Sequence, residues 1–123
     1  MTALHRFLHV SFMFPGVPKV RDLEPVFYAT GDDWIRYSIT SWIIWTAKPA
    51  VEIFARIKPH LDVSDQVLIV KLDMSDGFGW LSPWIWTWMQ SKMPTVLATG
   101  PVVQDALQQF LPPPTPPVPW SRK

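Results

Sequence analysis

The sequence predicts an α+β fold in which two βαβ halves share one antiparallel sheet, and three observations predict it. Residues 32 to 73 read strand, turn, strand, helix, strand. Within that run the apolar period changes from two to about 3.6 and back to two. A further strand and helix, residues 4 to 31, precede it. The order is therefore strand, helix, strand, strand, helix, strand, with the middle strands joined as a hairpin, which is the ferredoxin-like split βαβ arrangement. Right-handed crossovers put both helices on one face of a four-stranded sheet. The other face is then left to solvent or to a further covering element.

Each element has its own signal. Leu4 to Phe14 alternates, with Leu8, Val10, Phe12 and Phe14 on one side and His5, Phe7, His9, Ser11 and Met13 on the other. Pro15, Gly16 and Pro18 end that strand. Asp22 is a helix cap before Leu23 to Ala29, with Pro25 inside the tolerant first turn, Gly31 as the stop, and Leu23, Val26 and Phe27 as the buried stripe. Asp33 to Thr40 alternates again, placing Ile35, Tyr37 and Ile39 opposite Trp34, Arg36 and Ser38. Ser41 to Thr46 is apolar on both sides and rich in β-branched and aromatic residues. Lys48 to Lys58 brings Ala50, Ile53, Phe54 and Ile57 onto one helical stripe, with Pro49 in the first turn and Pro59 as the stop. Asp65 to Asp73 completes the sheet.

Beyond Asp73 the loop Met74 to Gly79 leads to Ser82-Pro83, a cap followed by a first-turn proline. A helix over Trp84 to Lys92 is the preferred reading and gathers Trp84, Ile85, Trp88 and Met89. A strand, which would align Trp84, Trp86 and Trp88, is the alternative. Pro94 to Thr99 has the pattern of a short fifth strand. Gly100-Pro101 opens an amphipathic helix carrying Val103, Ala106, Leu107, Phe110 and Leu111 on one stripe. From Pro112 the chain is extended or polyproline II by composition. The organisation is thus a ferredoxin-like domain over 1–93, a C-terminal strand and helix over 94–111, and a proline-rich tail over 112–123.

Composition narrows the function classes. The 123 residues suit one domain with appendages. Apolar residues make up 48% against 17% charged, which calls for a large interface or an unusually sticky surface. A net charge of +1 provides no electrostatic footprint for nucleic acid. The absence of cysteine excludes disulfides, zinc–thiolate sites and thiol catalysis. No run reaches the roughly 20 apolar residues that span a bilayer, and a soluble, cytoplasmic protein is expected.

Several residue types that carry chemistry in other proteins occur in this sequence. His5 and His9 share a strand face but stand about 13 Å apart by strand rise, too far to hold one metal in a straight strand. Asp62, Asp65, Asp73 and Asp76 flank the last central strand, where paired carboxylates could offer oxygen ligands to a hard cation, although turn and loop-capping roles are the ordinary ones. Nothing resembles a Ser-His-Asp set, a phosphate-cradling glycine loop or a metalloprotease helix. No catalytic residue, cofactor or metal is expected. Eight tryptophans are the oddity, four of them being Trp80, Trp84, Trp86 and Trp88. Residues His5, Phe7, His9, Trp34 and Arg36 on the open sheet face, with Trp84 and Trp88, form the expected interface, because large aromatics are enriched where proteins meet. Base stacking on such a sheet is the weaker reading, since Arg36 would be its one cation beyond the histidines. The tail contains overlapping P-x-x-P spacings, Pro113 to Pro116 and Pro116 to Pro119, able to dock in an aromatic-lined groove or to strap onto its own domain or dimer mate.

Four segments, Ser41-Trp-Ile-Ile-Trp-Thr46, Ile57-Lys-Pro-His-Leu-Asp62, Asp65-Gln-Val-Leu-Ile-Val-Lys-Leu72 and Gly79-Trp-Leu-Ser-Pro-Trp84, carry a family resemblance. The chain resembles the SinR-like small bacterial proteins, relatives of the CRISPR-associated ferredoxin-fold nucleases of the adaptation complex. The likeness covers roughly residues 5 to 90 and is strongest from 41 to 72. It implies a compact protomer that dimerises through its sheets, with a C-terminal strand crossing to the partner. Those nucleases hold a divalent metal with an aspartate at the end of the first strand. Here that segment is Val10-Ser-Phe-Met-Phe-Pro-Gly16, and no acidic residue lies between Met1 and Arg21. The expected function is a non-catalytic homodimeric or partner-binding scaffold. The alternative is a divergent metal-dependent nuclease or nucleic-acid-binding protein.

Overall fold

The structure is a computed structural model that describes residues 4–93. The expected strand at 95–99, the helix within 101–111 and the tail from Pro112 lie outside the described residues. The chain folds as mixed α and β. It has strand β1 (Arg6–Met13), helix α1 (Val20–Ala29), the hairpin β2 (Asp33–Ser38) and β3 (Ser41–Thr46), helix α2 (Ala50–Ile57), strand β4 (Gln66–Lys71) and helix α3 (Pro83–Lys92). The strands form one antiparallel sheet in the order β2-β3-β1-β4. The two central strands are therefore β3 and β1.

Helices α1 and α2 lie on one face. Leu23 and Phe27 of α1 and Ile53 and Ile57 of α2 pack with Leu8, Val10, Phe12, Trp42 and Ile44 of the sheet. Trp42 is the hub of this core. Its ring stacks on Phe27 at 4.9 Å and meets Phe12 in a T-shaped arrangement at 5.2 Å. Its indole N–H is buried without a hydrogen-bond partner, so the site is held by ring packing and apolar burial.

The helix boundaries show where local signals yield to packing. Helix α1 begins at Val20, two residues before the expected cap Asp22, because Val20 packs against the core and the Lys19 carbonyl accepts the first helical bond from Leu23 N–H at 3.1 Å. Lys19 is fixed in turn by ion pairs to Asp65 and, at 2.7 Å, Asp62, which pin the start of α1 to the turn before β4. Pro25 consequently falls past the first turn. It deprives the Arg21 carbonyl of its partner, and Arg21 sits at an exposed position where water can replace that bond. The helix stops as expected at Gly31, whose φ of 76° is the left-handed value that glycine adopts without strain. In α2, Pro49 is the cap rather than a first-turn residue, and Pro59 opens a single 3-10 turn, Lys58–His60, rather than ending the helix outright. Phe54, expected in the core, is 39% exposed beside β4.

The second face of the sheet is not bare. Ile85, Trp86 and Met89 of α3 close over Phe7, Ile35 and Ile43 to make a second, smaller core. The segment 83–92 is a helix, as the cap and proline signal it. Its buried stripe is rotated from the expected one, with Trp86 turned in and Trp84 turned out. No helix among the described residues is long and apolar enough to cross a membrane.

Candidate functional site

The expected interface residues do not share one face. Cross-strand partners lie on the same side of a sheet. Register pairs Phe7 with Trp45 and His9 with Ile43, and Ile43 in turn with Ile35. Trp34 pairs with Ile44 and Arg36 with Trp42, both on the helix-covered side. Trp34 and Arg36 therefore belong with α1, and the grouping of these two with His5, Phe7 and His9 is corrected. Trp34 packs on Phe27 and Tyr28 with ring centroids 5.7 and 5.0 Å apart. The Arg36 Nε lies 3.5 Å from the Glu24 carboxylate, an ion-pair distance without hydrogen-bond geometry, and its guanidinium stands 5.9 Å from the Trp42 ring. The pair proposed for stacking bases on an open face is thus folded against a helix.

The remaining expected residues take separate roles around α3. Phe7 is 1% exposed, sealed between Trp45 and Trp88. It serves the second core and offers nothing to a partner. His5 is exposed and leans on Trp45 at 5.7 Å. Trp88 lies at the margin of the core and donates its indole N–H to Asp33 Oδ2 at 3.0 Å. Lys92 Nζ meets the same oxygen at 2.6 Å. The Lys92 hydrogen bond, with the Trp88 bond added, holds the Asp33 carboxyl below its usual range. This clamp ties the last turns of α3 to the start of β2. Trp84 is 54% exposed on the outer side of α3.

His9 is half-buried and hydrogen-bonded to the Tyr37 hydroxyl. Burial lowers its pKa, so the neutral imidazole is favoured. The pair sits on the wall of a cavity of about 250 Å³, whose roof is the loop from Gly77 to Leu81 and the ring of Trp86. Tyr37 was missed as a site residue. Its alternation with Ile35 was the available signal.

Three of the four carboxylates that could offer ligands to a cation are already engaged. Asp62 and Asp65 hold Lys19, and Asp73 accepts from Ser75 N–H at 3.0 Å. Among the described residues no three His, Asp or Glu side chains converge on a point that could hold a metal ion.

An exposed apolar surface lies elsewhere, on β4. This strand pairs with β1 alone, so its outer backbone groups have no strand partner among the described residues. Helix α3 reaches over β1, β3 and β2 but stops short of β4, leaving Leu68 at 61% and Val70 at 39% exposure beside exposed Met13. Round the edge, Val67 and Ile69 line an apolar trough with Ala50, Val51 and Phe54 of α2, about 330 Å³ in volume. One apolar band therefore wraps both sides of an open strand edge. Lys71 and Gln66 at its ends are the only polar side chains of that strand. An edge this apolar is an association site unless something covers it.

Compared with known proteins, the chain matches no family model, no curated protein and no solved structure.

Proposed function

We propose that this chain is a ferredoxin-like assembly module that pairs with a second copy of itself through the edge of β4. The strand order β2-β3-β1-β4, with α1 and α2 together on one face, supports the ferredoxin-like reading. The observation that carries the assembly is the apolar band of Leu68, Val70, Val67, Ile69 and Phe54 around an unpaired strand edge. Pairing two such edges satisfies backbone donors and acceptors on both copies and removes both apolar bands from water. The segment 95–99 of either copy, apolar and β-prone by sequence, is suited to extend the same sheet. Function on this reading resides in the dimer and in what it binds, with no chemistry performed by the protomer.

Sedimentation of the purified chain at micromolar concentration tests the proposal, with a dimer expected. Leu68→Lys places a charge in the centre of the band. It is expected to weaken association by about thirtyfold or more, the equivalent of ~2 kcal/mol at a central interface position. The circular dichroism of the variant should be unchanged, since Leu68 contributes to neither core. A monomer at every concentration refutes the dimer. A variant that dimerises as well as the parent refutes the β4 edge as its site.

A further inference from the structure

A second apolar feature lies at the opposite edge of the sheet, and its chemistry differs from that of β4. Where α1 ends, β2 begins and α3 starts, Tyr28, Trp34 and Trp84 border an open trough of about 520 Å³, floored by Gly31, Asp32, Asp33 and Ile35. Tyr28 is 72% exposed and meets Trp34 nearly at right angles, 74° between ring planes, so the two rings form a corner rather than a filled stack. Trp84 offers a third ring, and among the described residues its indole N–H has no hydrogen-bond partner.

Charge does not select the ligand. Asp32 is paired with Lys48 at 2.8 Å and Asp33 with Lys92 at 2.6 Å, so each carboxylate beside the trough is neutralised by its own lysine. What is left for a ligand is three aromatic surfaces and an N–H donor. That combination recognises polyproline II, whose flat pyrrolidine rings stack on aromatic side chains and whose backbone carbonyls have no partner within their own helix. The chain carries such a segment, Pro112-Pro-Pro-Thr-Pro-Pro-Val-Pro119. The described fold ends at Met93, and the Lys92 side chain in the last turn of α3 is bonded to Asp33 of the trough lining. Residues 94 to 111 amply span the distance that a return to this corner requires.

From this we infer that the trough bordered by Tyr28, Trp34 and Trp84 is the docking site for the proline-rich tail of the same chain, residues 112–119. The prolines cover the rings of Tyr28 and Trp84, and the Trp84 indole N–H donates to a prolyl carbonyl. The inference is independent of the β4 edge, which lies at the other side of the sheet.

The absence of cysteine makes the test direct. Ser121→Cys in the full chain accepts one nitroxide, and amide intensities are compared between the paramagnetic and reduced label. Selective loss of signal is expected at Tyr28, Gly31, Asp33 and Trp84, and it should persist when the isotope-labelled, nitroxide-bearing chain is diluted tenfold into unlabelled parent chain. Trp84→Ala, a substitution at an exposed position, should restore those signals to at least half of their reduced-state intensity. Uniform loss, loss centred elsewhere, or loss that vanishes on dilution because the tail of another molecule supplies it, overturns the inference. So does a Trp84→Ala pattern identical to that of the parent.

Discussion

Trp34 and Phe7, both expected on the open sheet face, lie on opposite faces of the sheet, Trp34 against α1 and Phe7 under α3. Alternation correctly sorts each strand into two sides, as it does for Leu8, Val10 and Phe12 against Phe7 and His9. It does not say which side of β2 joins which side of β1. The strand between them is β3, and Trp42, Ile43, Ile44 and Trp45 are apolar on both sides, so β3 carries no phase information from one neighbour to the other. The hairpin register decides the matter, pairing Ile35 with Ile43 and Trp34 with Ile44. His9 provides a residue-scale prediction. Burial depresses its folded pKa below the ordinary value of about 6.5, so the unfolded chain takes up the proton first as pH falls. The stability contributed by neutral His9 is therefore complete above about pH 6.5 and is lost as pH falls through the lowered folded value. Thermal melts between pH 7 and 5 should show Tm declining with acid, and His9→Gln should flatten that slope; an unaltered slope in the variant contradicts it.

At the level of elements, α3 is the addition that changes the meaning of the sheet. Its existence is written in Ser82-Pro83 and in the run of large apolar residues that follows. Its orientation is not, because tryptophans at positions 84, 86 and 88 leave no clean polar face from which to choose a stripe. Docking chooses Ile85, Trp86 and Met89, and the Asp33 clamp on Trp88 and Lys92 fixes the rotation. Met89 is 1% exposed at the centre of that contact. Met89→Ala should cost about 2–5 kcal/mol in denaturant unfolding, the range for truncating a buried methionine. A loss well under 1 kcal/mol would mean that α3 lies loosely on the sheet.

For the whole molecule, the sheet has two edges and the fold protects them unequally. Among the described residues, the β2 edge is flanked by α1 and by the α3 clamp, whereas β4 is flanked by α2 on one side only and keeps Leu68 and Val70 outside. That asymmetry, together with the high apolar content, is why association is proposed at β4. Dimerisation coupled to folding makes stability depend on protomer concentration. Tm is accordingly expected to rise on raising the protein from the low micromolar to the hundred-micromolar range, and the Leu68→Lys variant should show no such rise. A parent Tm independent of concentration would speak against a dimer linked to folding.

The amino-acid sequence alone determined the order of elements, the near positions of their ends, the helix-facing half of β1 and the stop at Gly31, because each follows from local periodicity, proline geometry or the freedom of glycine. Tertiary structure decided which sides of β2 and β1 coincide, how α3 turns on its axis, and that Phe7 is core while Leu68 is surface. Those outcomes depend on pairing register and on how far a covering helix reaches across the sheet, and neither quantity is encoded within any single segment of the chain.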